Sequence, residues 1–553
     1  MRNLVCGLGF VWLLFNVLFI NPLNAQNPLN IRPMQETPLL SGSFGELRAT
    51  HFHSGVDFRT GGRIGLPVLC VTDGVVARIK ISPVGYGNAL YVEHPDGTTT
   101  VYGHLSRYNK KITRIARELQ YRNESFEIDE DTKGYGLFFK KGDTIAFSGN
   151  SGSSGGPHLH FEYRNTVTEH TLNPLLWYKV RDNMAPKVNA LYVYGISASG
   201  CVGQARRVAV STADGRRYTS GVVTVPAGKT GLGVFALDVM NDSQSKLGVY
   251  KIIMRAGDKE LFRLLVDSCS FDQNGLINEL KDYGLYRQKS ETVYRMFGNY
   301  LHELLGVKMQ GNGCIDIAAG EVIPVEIQVA DINGNTSTVT LKLKGGNAVQ
   351  NKETDVLPYD KAYVLKADGY TLQLDSGALL SSVPGFAKID TLTTAAGQKY
   401  RSFVVSRSDV PLKKSVKLQL TGKYDDKTVI CRLDDGLRRS VMQTVQDSAG
   451  IHCFTNVLGK YTTAKDTVAP SIAYLGQAGQ ELRFRLGDNM TGVARYRMEV
   501  NGKWCLFVYD AKSSLLTCNI NEPAFEKGKT NQVKLTVGDA VGNTSEKTVS
   551  IKK

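Results

Sequence analysis

The segment GGPHLHFE, residues 155–162, places two histidines one residue apart within an apolar stretch. Successive side chains of a strand point to opposite faces, so His158 and His160 share one face while Leu159 and Phe161 share the other. Two imidazoles on one face can reach a common cleft, where histidine acts as a metal ligand or as a general acid or base. An ordinary strand with a solvated face has the same pattern, so the pair alone does not decide.

The other histidines concentrate in the same part of the chain. Seven of the nine lie between His51 and His170. The segment HFHSGVDF contains His51, His53 and Asp57, and the segment VYGHLS contains His104. A catalytic zinc takes three protein ligands from His, Asp, Glu or Cys and leaves a fourth position for water. Each segment alone is a weak signal, but their order and glycine-rich surroundings argue against scattered, solvated histidines.

A zinc site can be assembled from these segments in more than one way. His53 and Asp57 would supply two ligands from a glycine-containing loop, and the HLH strand would supply the third. The second histidine of that strand would then lie close to the metal-activated water. Residue types alone do not choose between His51 and His53. Nor do they decide which of His158 and His160 is the ligand.

The elements that must position these residues are mainly strands. Runs such as GVVARIKIS, NALYVEH, VTLKLKG and SVKLQLTG alternate between apolar and polar residues and are bounded by Gly, Asp or Asn. An exception follows His104, where NKKITRIARELQ has apolar residues at helical spacing and opens an insertion at about residues 107–141. We therefore expect a mainly β protein with an N-terminal antiparallel β-sheet domain and about three β-sandwich (Ig-like) domains.

An internal repeat organises the rest of the chain. DNMAPKVNALYV, from Asp182, matches DTVAPSIAYLG, from Asp466, and VADINGNTSTVTLKL matches VGDAVGNTSEKTVSI. Between these marks, LDVMNDSQSKLGVYKIIMRAGDKELF parallels LGDNMTGVARYRMEVNGKWCLF. We expect no catalytic constellation in these C-terminal units. The predicted domains are an N-terminal domain (26–178), a first repeat with an insertion (179–350), a β-rich middle segment (351–465) and a last repeat (466–553).

The stretch from about Gly42 to Trp177 resembles peptidase family M23, the lysostaphin- and LytM-type zinc endopeptidases of the bacterial cell wall. HSGVDF resembles the first motif of that family, and VTDGVVARI resembles its characteristic strand. GYGNALYVEHPDGTTTVYGHLS resembles its central hairpin, and KKGDTIAFSGNSGSSGGPHLHFE resembles its closing segment. Several motifs in order over a whole domain make the resemblance specific, although it covers only about a quarter of the chain.

The resemblance implies roles that the bare residues left open. It implies a LytM-like sheet domain in which His53, Asp57 and His160 bind one zinc ion per chain. His104 and His158 fall on the positions of two catalytic histidines that are not ligands.

Two features lie outside the family pattern. His51 is expected on the surface or beside the ligands. The insertion after Ser106 is longer than the family's short link, and it is a candidate lid or inhibitory cover over the cleft.

The resemblance also implies a reaction, the hydrolysis of a peptide bond in peptidoglycan cross-links or stems by a metal-activated water. His158 would take a proton from that water, and His104 would hold the oxyanion or protonate the leaving amine. Two alternatives are a non-enzymatic wall-binding module that activates other wall hydrolases and a zinc peptidase that acts on proteins. The C-terminal β domains are candidates for docking partner proteins of the cell envelope.

Composition and targeting signals indicate where the protein acts. A net charge of +14 over 553 residues suits anionic surroundings such as wall polymers or lipid headgroups. Nucleic acid is not an expected partner, since no arginine-rich helix or basic-aromatic cluster is evident. Residues 1–25 match a secretory signal peptide, and no later segment has membrane-spanning length. We therefore expect an extracytoplasmic protein, periplasmic or secreted, whose eight remaining cysteines form disulfides or buried thiols.

Overall fold

The computed structural model describes residues 31–35, 39–348, 355–407 and 410–553. The predicted signal peptide lies outside these residues. Most of the regular structure is antiparallel strand, so the expectation of a mainly β protein is confirmed. No helix in the described ranges has the length and apolar character needed to cross a membrane.

The N-terminal domain combines twelve strands with one helix. In chain order these are β1 Leu40–Gly42, β2 Val56–Arg59, β3 Pro67–Leu69, β4 Gly74–Ile81, β5 Asn88–Glu93, β6 Thr98–Leu105, β7 Arg107–Tyr108, α1 Lys110–Arg122, β8 Ile128–Asp131, β9 Phe138–Phe139, β10 Thr144–Phe147, β11 His158–Asn165 and β12 Thr171–Leu172. The main sheet has the order β1-β2-β11-β6-β5-β4-β8, and a second sheet has the order β3-β10-β7. Strand β11 therefore lies between β2 and β6, which brings three distant segments together.

The two faces of β11 separate packing from chemistry. Leu159 and Phe161 are fully buried in the hydrophobic core, while His158 and His160 point to the other face. Along the strand, His160 is the cross-strand partner of Asp57 on β2 and of Gly103 on β6. This register sets the histidine pair beside both neighbouring strands.

Helix α1 confirms the helical pattern predicted within the insertion. Its first turn is capped by Asn109, whose side-chain oxygen accepts a hydrogen bond from the Ile112 backbone at 3.0 Å. Its apolar stripe is buried: Ile112, Ile115, Ala116 and Leu119. The strand β8 that follows extends the far edge of the main sheet, beyond β4.

The first repeat contains thirteen strands and two short helices. They are β13 Lys187–Ile196, β14 Arg206–Val208, β15 Ser211–Thr212, β16 Arg217–Val225, β17 Gly228–Leu237, β18 Lys251–Ala256, β19 Lys259–Leu265, β20 Ser268–Cys269, α2 Ile277–Leu280, α3 Tyr283–Lys289, β21 Val293–Arg295, β22 Val307–Met309, β23 Ile315–Ile317, β24 Val322–Ala330 and β25 Thr336–Gly345. One sheet has the order β14-β13-β17-β21, with β23 also paired to β17, and the other has the order β15-β16-β25-β24-β18-β19-β22. Strand β20 pairs with β12, so the main sheet of the N-terminal domain continues into this repeat.

The middle segment and the last repeat are also built from paired sheets. The middle strands are β26 Val356–Leu357, β27 Tyr363–Ala367, β28 Tyr370–Leu374, β29 Val383–Pro384, β30 Ala387–Thr393, β31 Lys399–Val405, β32 Val410–Thr421, β33 Thr428–Leu433, β34 Arg439–Val441, β35 Val445–Asp447, β36 Gly450–Leu458 and β37 Lys460–Lys465. The last repeat has β38 Ser471–Ala478, β39 Glu481–Gly487, β40 Val493–Val500, β41 Lys503–Trp504, β42 Val508–Asp510, β43 Leu515–Asn519, β44 Thr530–Asp539 and β45 Thr544–Lys552. Both repeats begin a strand directly after the Ala-Pro pair and end with a hairpin that turns at Gly-Asn.

Candidate metal centre

The backbone brings His53, Asp57 and His160 together at the middle of the main sheet. Asp57 lies on β2, His160 lies opposite it on β11, and His53 lies on the loop that leads into β2. This loop passes close to β11, because a Cβ atom at Gly55 would collide with the backbone carbonyl of Phe161. The glycine in HSGVDF is therefore required for the close approach of the loop to the strand.

The three predicted ligand atoms form a nearly equilateral triangle. His53 Nε2 lies 3.1 Å from Asp57 Oδ1 and 3.1 Å from His160 Nδ1. His160 Nδ1 lies 2.9 Å from Asp57 Oδ1. A tetrahedral zinc at about 2.0–2.1 Å from nitrogen and oxygen ligands requires them to be roughly 3.3–3.4 Å apart. The observed spacing is within a few tenths of an ångström of this requirement, so the residues fit the ion.

Hydrogen bonds on the far side of each ring fix which nitrogen faces the triangle. His53 Nδ1 is 2.7 Å from the carbonyl oxygen of Ser43, which can only accept, so this nitrogen carries the proton. His160 Nε2 lies 2.8 Å from Glu162 Oε1 and donates to it. In their neutral forms, both histidines therefore present a lone pair toward Asp57 Oδ1. Three acceptors that face one another require a cation or a proton between them.

The electrostatics of the triangle agree with this need for positive charge. Burial raises the pKa of Asp57, but the neighbouring His53, His158 and His160 hold it well below its usual range. Burial lowers the pKa of His160, yet its hydrogen bonds to Asp57 and Glu162 raise it to about 9. The carboxylate is thus ionised, and the triangle attracts a cation.

A group around Glu162 supports His160 and was not predicted from the sequence. The Glu162 carboxylate is fully buried, and Oε1 accepts hydrogen bonds from Ser54 Oγ at 2.5 Å and from Tyr86 OH at 2.6 Å. Its Oε2 atom accepts a hydrogen bond from Arg164 Nε at 2.6 Å. Burial raises the pKa of Glu162, but the opposite effect of Arg164 and His160 is larger. The pKa of Glu162 is therefore below its usual range, and the carboxylate is ionised. The available signal was its position two residues after His160, on the same face of β11.

His158 and His104 lie side by side next to the triangle. Their ring centroids are 4.7 Å apart, and His104 is 5.9 Å from the ring of His160. His158 Nε2 lies 3.4 Å from Asp57 Oδ1. The side chains of His104 and His158 are both partly exposed. The structure therefore brings all five predicted site residues together, whereas His51 is exposed and has a contact with Thr50 Oγ1 at 3.2 Å.

The glycine-rich loop after β10 orients both of these histidines. His104 Nδ1 donates to the carbonyl of Ser151 at 2.8 Å, and His158 Nδ1 donates to the carbonyl of Gly156 at 2.8 Å. Gly152 has a φ of +68°, and a Cβ atom there would collide with the backbone of Gly85. The loop is thus packed in a defined place, and its carbonyl groups fix the tautomers of the two rings.

His104 occupies an unusual backbone and electrostatic position. Its φ of 57° lies in the left-handed region, which is uncommon for a residue other than glycine and recurs at functional sites. Burial, together with His160 and His158, lowers the pKa of His104 to about 3. The ring is therefore neutral near pH 7, with its proton on Nδ1 and a lone pair on Nε2.

The insertion contacts the last repeat instead of the histidine cluster. Glu522 of the last repeat accepts two hydrogen bonds from Arg117 on α1, at 2.9 and 2.8 Å, and a third from Tyr121. Tyr121 also packs edge-on against Trp504, with ring centroids 5.1 Å apart. None of the hydrogen bonds or ring contacts described for α1 reaches the site histidines, and the helix lies at the interface with the last repeat. A role of the insertion as a lid or inhibitory cover stays a prediction.

Comparison with known proteins finds similarity to a known family in this part of the chain. The model of peptidase family M23 matches residues 51–118. A DD-carboxypeptidase/endopeptidase, Mpg, of Neisseria meningitidis serogroup B is 29% identical over 158 residues, which are 28% of this chain and 30% of that protein. The peptidoglycan DD-endopeptidase ShyB of Vibrio cholerae is 34% identical over 110 residues, which are 20% of each chain.

A solved structure is also similar to the N-terminal domain. The catalytic domain of lysostaphin from Staphylococcus simulans is 26% identical, with a TM-score of 0.19, over 25% of this chain and 90% of that one. The match of the family model and the similarity to the Neisseria and Vibrio proteins confirm, for the N-terminal domain, the resemblance to peptidase family M23 that the motifs predicted. The chain spans about 30% of the length of the Neisseria proteins it matches.

Proposed function

We propose that this protein is a zinc-dependent endopeptidase that hydrolyses peptide bonds in peptidoglycan cross-links or stems. The observation that carries the proposal is the convergence of three metal-binding atoms beside two further histidines. His53, Asp57 and His160 are the proposed ligands of one zinc ion per chain. Two imidazoles and one carboxylate form a donor set that catalytic zinc sites use, and they leave a position open.

Zinc held by these residues supplies a Lewis acid, which polarises a carbonyl oxygen and lowers the pKa of a bound water to about 7. The overall reaction adds the water oxygen to the amide carbon and breaks the C–N bond. One proton must leave the water, and one must reach the departing amine. The groups that move these protons must lie beside the ligands and must present a ring nitrogen that carries no proton.

His158 is the proposed acceptor of the water proton. Its Nδ1 donates to the Gly156 carbonyl at 2.8 Å, so Nε2 carries the lone pair. That Nε2 atom lies 3.4 Å from Asp57 Oδ1, next to the proposed ligands. Protonation there places a positive charge beside the Asp57 carboxylate.

His104 is proposed to act later in the reaction. Its low pKa keeps it neutral, and the Ser151 carbonyl holds the proton on Nδ1. Nε2 must therefore gain a proton before it can donate one to the oxyanion or to the departing amine. The ring of His158 is 4.7 Å away, which keeps the proton's path short. The order of events is thus proton uptake at His158 and delivery at His104.

The proposed substrate follows from the relatives and from charge. The Vibrio protein is named a peptidoglycan DD-endopeptidase, and the Neisseria protein a DD-carboxypeptidase/endopeptidase. A net charge of +14 favours contact with anionic wall polymers. We accordingly propose an extracytoplasmic location, periplasmic or secreted, with the C-terminal β domains available for envelope protein partners.

The test measures zinc content and the fragments released from purified muropeptides by mass spectrometry. His158→Ala and His104→Ala should each lower turnover about 10²–10⁴-fold, the usual contribution of a general acid or base, while zinc stays near one per chain. His51→Ala is the matched control, because His51 is an exposed histidine on the loop that carries the proposed ligand His53. Loss of zinc in either of the first two variants would mean that the replaced histidine is a zinc ligand. A zinc-loaded wild type that releases no fragments would favour the wall-binding alternative.

A further inference from the structure

Three aspartates meet where the chain enters the first repeat from the N-terminal domain. Asp182 lies on the connecting segment before β13, Asp238 follows β17, and Asp331 follows β24. One carboxylate oxygen from each lies within 4.8 Å of the others. Three negative charges this close repel one another unless a cation lies among them.

Asp238 is the member of this cluster that has no hydrogen-bond partner for one oxygen. The residue is only 7% exposed, and among the described residues nothing donates to its Oδ1 atom. Burial, together with Asp331 and Asp182, raises the pKa of Asp238 to about 8. A buried carboxylate oxygen without a partner is rare in native structures, and an absent ion is a recognised reason for one.

The other two carboxylates are bonded only to neutral donors. Asp331 accepts hydrogen bonds from the backbone of Asn335 at 2.8 Å and from its side chain at 2.7 Å. Asp182 accepts a hydrogen bond from the Met184 backbone at 3.0 Å. In the described ranges, no lysine or arginine forms an ion pair with any of the three aspartates. The negative charge of the cluster is therefore not balanced by the protein.

The last repeat contains the same arrangement. Asp466, Asp488 and Asp539 also place one oxygen each within 4.8 Å of the others, and Asp488 Oδ1 likewise has no partner among the described residues. They come from corresponding places: the segment before β38, the end of β39 and the end of β44.

A supporting asparagine is repeated as well. Asn335 Nδ2 donates to the carbonyl of Asp182 at 3.2 Å as well as to Asp331. Asn543 makes the two corresponding contacts in the last repeat, at 3.0 and 2.7 Å. This Asn belongs to the Gly-Asn turn that marks both repeats in the sequence, so the cluster is a feature of the repeat.

We propose that Asp182, Asp238 and Asp331 bind a calcium ion that fastens the connecting segment to the ends of two strands of the first repeat. Calcium binds six to eight oxygen ligands at about 2.3–2.6 Å, so oxygens up to roughly 4.8 Å apart can share one ion. A site built from oxygen ligands alone selects hard cations, whereas zinc prefers nitrogen and sulfur. The ion stiffens the junction between the N-terminal domain and the first repeat.

Isothermal titration of the full-length, zinc-loaded protein with calcium chloride tests this site, and thermal unfolding provides a second readout. Wild type should bind calcium in the range of about 10⁻⁴ M or tighter, and its melting temperature should rise by about 2–4 °C. Asp238→Asn should bind one calcium equivalent fewer and lose at least half of that rise. Without calcium the same variant should melt no lower than wild type, because the amide has the shape of the carboxyl group and carries no charge that the other two aspartates repel.

Two further variants guard the interpretation. Asp182→Asn should lose the same calcium equivalent, because it removes one negative charge from the site. Its amide oxygen can still accept the Met184 hydrogen bond, so the local fold should be kept. Asp242→Asn is the matched control, because Asp242 is exposed and lies four residues beyond Asp238. Equal calcium stoichiometry in wild type and Asp238→Asn would overturn the site. A magnesium response as tight as that of calcium would overturn the choice of ion.

Discussion

The histidine centre of the N-terminal domain and the aspartate cluster of the first repeat are both groups of three side chains from distant segments. In the first, two ring nitrogens and one carboxylate oxygen lie 2.9–3.1 Å apart, and hydrogen bonds behind each ring select the nitrogen that faces inward. In the second, three carboxylates lie within 4.8 Å and no histidine takes part. The first suits a small borderline-soft ion, and the second suits a larger hard ion.

The two groups also differ in how accessible their surroundings are to solvent. The histidine centre has two partly exposed histidines beside it, so substrate and proton carriers can meet at one place. The aspartate cluster lies at strand ends beside a connecting segment, where Asp238 and Asp331 are buried. Ligand type and accessibility together therefore distinguish the proposed catalytic centre from the proposed structural site.

The largest effect should come from Asp57→Ala, which removes one ligand of the histidine centre. We expect no stoichiometric zinc, and turnover at least about 10³-fold lower, because the electrostatic stabilisation at the reacting carbonyl is lost. Metal analysis and muropeptide cleavage measure these two outcomes. The calcium-dependent rise in melting temperature should persist, since the aspartate cluster is intact.

The reciprocal experiment uses Asp238→Asn, which should keep one zinc per chain while its calcium response falls. If Asp57→Ala lost the calcium response as well, the two groups would form one coupled metal system, and the comparison would fail.

The sequence predicted the histidine centre because its residues lie in short, recognisable motifs on strands of clear alternation. The period of β11 places His158 and His160 on one face, and the family resemblance implies that His160 is a ligand and His158 a catalytic residue. The same reasoning did not find the aspartate cluster, although the repeat was identified from segments that contain its members. Asp182, Asp238 and Asp331 converge only when the ends of β17 and β24 meet. Local periodicity does not predict how strands so far apart in the sequence are arranged.

The insertion illustrates a second limit. The apolar stripe of α1 was predicted from spacing, since burial of that stripe is a local property. The insertion was a candidate lid or inhibitory cover, and the structure gives Arg117 on α1 a partner 405 positions away, in the last repeat. No local pattern points to Glu522, because a contact between domains depends on how whole sheets pack.

A smaller effect is expected for Glu162→Gln, which tests whether the hydrogen bonds behind the ligands are part of the centre. Glutamine keeps the shape of Glu162, but it removes the charge that holds the His160 proton on Nε2 and pairs with Arg164. Partners of this kind typically contribute 10–100-fold to metal affinity or activity. Zinc affinity by competition with a chelator dye should fall by about that factor.

The matched control for this variant is Glu169→Gln. Glu169 also pairs with Arg164, at 3.4 Å, but 63% of its side chain is exposed. Its replacement should leave zinc affinity within about twofold, because exposed ion pairs contribute little. Equal losses in the two variants would mean that Arg164 acts on the centre through charge alone, and the role assigned to Glu162 would be wrong.

The smallest effect concerns Glu522, which makes one of the contacts between the N-terminal domain and the last repeat. Glu522→Gln weakens two charge-assisted hydrogen bonds from Arg117 and one from Tyr121, with only 8% of the Glu522 side chain exposed. Arg117 is 41% exposed, so solvent screens part of the interaction. We expect a loss of about 1–3 kcal/mol in the free energy of unfolding, measured by urea titration, with zinc and calcium binding unchanged.

Glu124→Gln provides the comparison at the same interface, since the Glu124–Arg497 pair at 2.8 Å is about half exposed on both sides. Its loss should stay below about 1 kcal/mol, because water replaces the interaction at little cost. If both variants were equally mild, the interface would depend on its aromatic contacts, Tyr121 with Trp504 and Phe126 with Phe507. If Glu522→Gln also lowered zinc affinity, the last repeat would support the histidine centre, and the two regions could no longer be treated as independent.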